Sequence, residues 1–314
     1  MIGRILTAWF RGLERCWCGA SWQAAKAPVT TAEVLALAPQ DRYHAKQGRS
    51  TGRWTFGASG QVVSTFIKRH HALPWLARLA AILWPSGGWS PAWREYRQLT
   101  WAKRNGVTVP EPLAVGEQIG PGLRFRSYLA VAELVGMIPL HEAVGLAAQT
   151  LSPVSFLRWK RSCIREAARM VRRLHDCHRF HKDLYLCHFF VSLPTEEKHE
   201  IQPGQLVLID LHRMAEHRLL GTYFRVKDLA QLLYSTADLA EINDRDRLRF
   251  LWAYSGGKIS RWLLWTVRAK GMRYLRHNRK RKPGHFGPLL GHEAIRSGRI
   301  ARSTASRVTE ARSA

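Results

Sequence analysis

Two carboxylates define the chemistry this chain is equipped for. Asp183 lies in His181-Lys182-Asp183-Leu184-Tyr185-Leu186-Cys187-His188, two residues after a histidine and just after a helical run. Asp210 ends the apolar segment Leu206-Val207-Leu208-Ile209 and opens Asp210-Leu211-His212-Arg213, as a buried strand does when it delivers one charge to a cleft. In such a pair one acid could orient a hydroxyl and relieve it of its proton while the other could hold a divalent cation against phosphate oxygens. A phosphoryl group moving between oxygens requires both.

The elements that must position these acids can be read along the chain. Gly48-Arg49-Ser50-Thr51-Gly52-Arg53-Trp54, followed by Gly57 and Gly60, reads as a small-residue turn, either one where backbone N–H groups with Arg49 and Ser50 could meet phosphate oxygens or a plain β-hairpin loop, and it departs from G-x-G-x-x-G. Val62, Val63, Thr65, Phe66 and Ile67 form a β-branched and aromatic strand ending in Lys68. Ser90-Pro91 is a helix start, with Ser as N-cap and Pro at the first helical position, and Glu95 follows among Trp93, Tyr96 and Leu99. An acid on an apolar helix face is an inward carboxylate, with Lys68 as its natural partner; a first-turn Glu favoured by the helix dipole is the plainer reading. Arg124 to Val135 reads as a further strand, and Phe156 to Arg179 as a helix that feeds the Asp183 loop. Asp228 opens another helical run at Arg225, where it either serves that loop or complements the dipole of its own helix.

Composition narrows the partners. The chain has 314 residues, 46% hydrophobic, with 13 Trp, which excludes a disordered polymer over most of its length. Five cysteines, odd in number and scattered, fit a reducing compartment better than a disulfide framework. There is neither an apolar run long enough to span a membrane nor a recognisable signal peptide. The formal charge of +26 predicts an anionic partner. Ile2, Ile5, Leu6, Trp9, Phe10, Leu13 and Trp17, with arginines between them, read as a basic amphipathic helix suited to a membrane interface or to packing on the domain. Cys16-x-Cys18 reads as incidental. Leu73 to Trp84 reads as a short apolar helix, and the segment after Arg276 as a basic, mobile tail.

Together, Gly48 to Arg53, Phe66-Ile67-Lys68-Arg69-His70, Ser90 to Glu95, His181 to Phe189, Asp210-Leu211-His212-Arg213 and Lys227-Asp228-Leu229 resemble the lipopolysaccharide core heptose and Kdo kinases, a protein-kinase-like family. The resemblance runs from about residue 40 to 255 and is strongest in Asp183 to Phe189 joined to Asp210 to Arg213. It implies an α+β, bilobal protein-kinase-like fold with a small β-rich N-lobe and a larger helical C-lobe. The expected boundaries are an N-terminal helical extension 1–38, an N-lobe 39–135, a C-lobe 136–275 and a basic tail 276–314. It implies Asp183 as catalytic base, Asp210 and His188 at the metal, and Lys68 with Glu95 at the nucleotide phosphates. Glu133 and Leu134 would present hinge backbone groups to adenine. His188 stands where protein kinases have Asn, and imidazole suits softer metals than Mg²⁺.

The activity implied is transfer of the γ-phosphoryl of ATP, as Mg·ATP, to a sugar hydroxyl of lipopolysaccharide core or a related envelope glycolipid, in the cytoplasm and peripherally at the inner membrane. Alternatives are a protein or small-molecule kinase of the same fold, an inactive kinase-like scaffold, or a non-catalytic basic protein binding membrane or nucleic acid. The acid pair argues against a nucleic-acid partner. A zinc site among His175, Cys177, His178, His181, Cys187 and His188 fits no standard ligand spacing.

Overall fold

The computed structural model describes residues 10, 12–38, 41–46, 48–58, 61–72, 90–120 and 124–279. The expected apolar helix 73–84, the first nine residues of the N-terminal segment and the tail from 280 onward lie outside the described residues. The chain divides into two compact units. One takes the residues up to Asn105 with Val109–Val135 and Asp210–Arg213; the other takes Gly106–Thr108, Gly136–Ile209 and the residues from Met214 onward.

The first unit is built on an antiparallel six-stranded sheet. Its strands are β1 (Leu13–Cys18), β2 (Asp41–Lys46), β3 (Arg49–Ala58), β4 (Gln61–His70), β5 (Pro112–Gly120) and β6 (Arg124–Ala132), in the order β1-β5-β6-β4-β3-β2. Helices α1 (Ala20–Ala24) and α2 (Thr31–Ala36) follow β1, and α3 (Pro91–Arg104) lies between β4 and β5.

The helical reading of the N-terminal segment is corrected here. Leu13–Cys18 is a strand, paired antiparallel with β5 from Leu13 opposite Ile119 to Cys18 opposite Ala114. Gly12, just before the strand, has a left-handed backbone at φ 77°. Cys16 and Cys18, two residues apart, are the half-buried positions of the strand's alternation, so their spacing has a structural cause. From Leu13 onward the expected extension is therefore part of the sheet unit. Trp22 and Val34 join Trp54, Ile67, Leu113 and Tyr128 in one core. Gly116 has no room for a side chain, because a Cβ there would stand 2.3 Å from the Tyr128 ring and 2.8 Å from Thr31 Oγ1.

Arg69 ties α2 to the sheet. It is 3% exposed, its Nε donates to Ser50 Oγ at 3.0 Å, and its Nη1 donates to the carbonyls of Leu37 at 2.7 Å and Leu35 at 3.3 Å, at the end of α2. Its guanidinium also lies 4.6 Å from the Trp54 ring centroid. A buried cation is tolerable because oxygens and a π face replace its water.

The second unit is mainly helical: α4 (Leu140–Thr150), α5 (Pro153–Asp176), α6 (Gly221–Ser235), α7 (Asp244–Tyr254) and α8 (Arg261–Arg279). Short strands accompany them. β7 (Met137–Pro139), β9 (Phe189–Ser192) and β10 (Val207–Leu208) form one sheet in the order β10-β9-β7, and β8 (Arg179–Phe180) pairs with β11 (Ala215–Glu216). Helix α5 starts at Pro153 after the Ser152 cap, three residues before the expected Phe156, and buries Trp159, Cys163, Ala167, Met170, Val171 and Leu174 along one stripe. Lys160 on that helix is buried against Asp246 of α7 at 2.7 Å.

Arg69→Ala leaves the α2 carbonyls and the Ser50 hydroxyl without their donor inside the core. It is expected to cost about 2–4 kcal/mol in urea unfolding. A midpoint unchanged from the parent chain would contradict that role.

Candidate active site

In the first unit, Lys68 on β4 and Glu95 on α3 form an ion pair, Nζ to Oε1 at 2.6 Å, with the Glu95 side chain 5% exposed. Glu95 shares the buried stripe of α3 with Ala92, Leu99 and Ala102, and no acid lies in the first turn of that helix. The dipole reading is thereby set aside: the carboxylate faces inward to meet the lysine. Asp210 stands 3.4 Å from the same ammonium and accepts from His212 Nδ1 at 2.6 Å. Its backbone is left-handed, at φ 65°, a conformation an Asp tolerates at some cost and holds where surrounding structure fixes it. Burial pulls the Lys68 pKa down, but the carboxylates of Glu95 and then Asp210 outweigh it, and the net shift is upward. The ammonium is therefore held charged.

His70, two residues along β4, is held neutral. Burial first, then the positive charges of Arg49 and Lys68, push its pKa down to about 4 from an ordinary 6.5.

In the second unit, the Asp183 loop is organised by Asp228. That carboxylate is fully buried; Oδ1 accepts from the Lys182 N–H and Oδ2 from the His181 N–H, each at 2.8 Å. His175 Nε2 lies 3.3 Å from Oδ2, and Tyr254 Oη lies 2.8 Å from the other nitrogen of that ring. Asp228 stands in the middle of α6, which begins at Gly221 rather than at the expected Arg225, so it is no first-turn dipole acid. The Lys182 carbonyl accepts from Lys227 Nζ, and Lys182 itself has φ 71°.

His181 is fully buried with Nε2 3.1 Å from the Ile209 carbonyl, and its ring stacks on His188 at 5.5 Å. His188 Nδ1 donates to the Asp183 carbonyl at 2.8 Å, since a carbonyl can only accept. In the neutral ring this leaves the Nε2 lone pair as the acceptor or ligand position. Asp183 itself is half-buried.

The structure thus brings Lys68, Glu95 and Asp210 together in one unit and gathers Asp183 and His188 in one loop of the other. Two nucleotide-side expectations are corrected. Arg49 to Trp54 is strand rather than turn, the bend falling at Gly48 (φ 72°) between β2 and β3. Ser50 is 2% exposed with its hydroxyl engaged by Arg69 and 3.1 Å from His71 Nε2, so it is not a phosphate ligand; Arg49 is exposed at the start of β3. Glu133 follows β6, its N–H donating to the Ser64 carbonyl at 3.0 Å and its carboxylate pairing with Arg53 Nε at 2.8 Å. Leu134 is half-buried just beyond the strand. Sequence reasoning missed the brace that His212 gives Asp210, for which the two-residue spacing was the available signal. It also missed the His175–Tyr254 backing of Asp228, which no local pattern announces.

A lysine locked by a helix glutamate beside a strand-end aspartate, and a loop aspartate anchored from a buried helix, define a protein-kinase-like phosphotransferase. Comparison with known proteins agrees. A profile described as "Lipopolysaccharide kinase (Kdo/WaaP) family" matches residues 49–254. The lipopolysaccharide core heptose(I) kinase WaaP of Pseudomonas aeruginosa is 31% identical over 215 residues, 68% of this chain and 75% of that protein. WaaP of Escherichia coli K12 is 30% identical over 164 residues, 52% of this chain and 59% of its own length. A solved WaaP in complex with acyl carrier protein superposes with a TM-score of 0.57 at 25% identity, covering 85% of this chain and 98% of that one. The chain belongs to the lipopolysaccharide kinase (Kdo/WaaP) family, and it is a kinase.

Two outcomes follow from this geometry. Asp228→Asn sets an amide NH₂ against backbone N–H groups and is expected to cost about 2–4 kcal/mol; hydrogen exchange at the His181 and Lys182 amides should quicken, and unaltered protection would contradict the anchoring role. For His70, the unfolded chain binds the proton more readily between pH 6.5 and about 4, so stability falls as pH drops through that window. The loss is on the order of 3 kcal/mol. His70→Gln should flatten that part of an unfolding-versus-pH profile, and an unchanged acid slope would count against it.

Proposed function

We propose that this kinase moves the γ-phosphoryl of ATP to a hydroxyl of a heptose or Kdo sugar in lipopolysaccharide core, or in a closely related envelope glycolipid. The observation that carries the reading is the charge-locked group Lys68–Glu95–Asp210 in a chain of this family. In this reading Lys68, oriented by Glu95, binds the α- and β-phosphates. The half-exposed Asp210 carboxylate is a hard oxygen donor that suits Mg²⁺, and His188 is the second residue proposed for the metal. The ion, when bound, neutralises the triphosphate and the charge developing in transfer. Asp183 accepts a hydrogen bond from the acceptor hydroxyl, aims it and takes its proton. The carbonyl of Glu133 and the backbone of Leu134 meet the adenine edge.

No helix among the described residues is long and apolar enough to cross a membrane. The basic chain is proposed to work peripherally at the inner membrane, where anionic lipid attracts each nearby Lys or Arg by about 1 kcal/mol. Because the solved WaaP neighbour is a complex with acyl carrier protein, a carrier of that class belongs among the partners to be assayed.

The test is radiolabelled-ATP transfer to fractionated envelope glycolipids, with a generic protein acceptor in parallel. Labelled glycolipid is expected, and Asp183→Ala should lower its rate by roughly 10²-fold or more with the fold intact. Labelled protein with unlabelled glycolipid would favour a protein kinase, and near-normal turnover in the variant would remove Asp183 from the mechanism.

A further inference from the structure

Helix α8 carries six basic residues, Arg261, Arg268, Lys270, Arg273, Arg276 and Arg279, and neither Asp nor Glu. Its exposed stripe runs at three- and four-residue spacing through Trp262, Trp265, Ala269, Arg273 and Arg276. Trp262 is 55% exposed and Trp265 66%.

Helices α6 and α8 run side by side in the same direction. Lys270 Nζ lies 4.3 Å from the Tyr223 ring near the start of α6, while Tyr234 near its end meets Tyr274 and accepts from Asn278. The pair is close-packed, since a Cβ on Gly271 would stand 3.2 Å from Leu233 Cδ2. Leu219 and Leu220, just ahead of α6, therefore lie toward the same end as the two tryptophans, which extend along α8 five and eight residues before Lys270, the partner of Tyr223. Leu219 is 98% exposed, and Leu220 and Tyr223 are exposed as well. The carboxylate beside this turn, Glu216, is engaged by Arg179 at 3.3 Å and Arg218 at 2.9 Å.

The start of α6 adjoins the Asp183 loop. Strand β11 pairs with β8, the two residues before His181, and the His217 N–H donates to the His178 carbonyl at 2.9 Å. Lys182, the residue before Asp183, lies with Nζ 5.3 Å from the Phe224 ring on α6.

We propose that the Leu219–Leu220 turn and the Trp262–Trp265 face of α8 form a docking surface for an anionic phospholipid bilayer. Tryptophan rings and aliphatic tips enter the interfacial layer while the arginines of the same helix meet lipid phosphates. Bare leucines and tryptophans on an acid-free helix match that chemistry, whereas a self-interface would leave the arginines facing one another. The proposal rests on the lipid-linked acceptor argued above: a surface beside the Asp183 loop brings that loop to sugars presented at the bilayer.

The test is co-sedimentation of the full chain, without ATP, with phosphatidylglycerol–phosphatidylcholine vesicles and with pure phosphatidylcholine vesicles. Binding is expected to the anionic vesicles, reduced at least tenfold by Trp262→Ser with Trp265→Ser, and likewise by Leu219→Ser with Leu220→Ser. Transfer to detergent-dispersed glycolipid should be unchanged in both, and either pair decides if the other misfolds. Undiminished vesicle binding in the folded variants overturns the proposal. So does a wild-type dimer in sedimentation velocity that the substitutions dissociate without effect on vesicles, or a loss confined to binding of acyl carrier protein. Because partition is read without turnover, a failure here leaves the phosphotransfer reading standing, and an absence of transfer leaves the partition result readable.

Discussion

A single buried carboxylate holds the catalytic loop in shape. Asp228 has no access to water, and a lone anion there would be prohibitively costly. It is sustained by two backbone N–H groups, those of His181 and Lys182, which would otherwise be orphaned by the turn that presents Asp183. The debt is mutual: the loop needs an acceptor and the acid needs donors, so neither is stable in another geometry. His175, with Tyr254 behind it, completes the enclosure. The consequence for structure is that the loop carrying Asp183 is fixed through the backbone of the two residues before it.

The first unit solves the opposite problem, holding a cation in a partly enclosed place. Lys68 sits between Glu95 and Asp210, so it stays protonated in a site whose burial would otherwise favour the neutral amine. His70 nearby stays neutral for the converse reason, being enclosed and close to positive charges.

What was legible in the sequence were residues with local signatures. Asp183 and Asp210 announced themselves by short motifs, Lys68 by its place on a β-branched strand, and Glu95 by an acid on an apolar face after a Ser-Pro start. What was not legible depends on distant partners. Arg69 looks like one more surface cation in a very basic chain until α2 folds over it, and Ser50 looks like a phosphate ligand until that same arginine claims it. Leu13 to Trp17 satisfy helical spacing as well as strand alternation, and the tie is broken by the hydrogen bonds to β5, whose residues Val115 to Ile119 lie far along the chain. Asp228 was ambiguous only because the start of its helix was misplaced by one turn.

Strand β1 has a further consequence for anyone who handles pieces of this enzyme. The family profile begins at residue 49, which invites a fragment trimmed to that point. Such a fragment would strip β5 of its neighbour, baring a row of unsatisfied amides and carbonyls along a hydrophobic sheet, the kind of open border that templates aggregation. It would also uncover Trp54 and Tyr128, which Trp22 and Val34 now shield. The catalytic motifs would all be retained, and the protein would still be unusable.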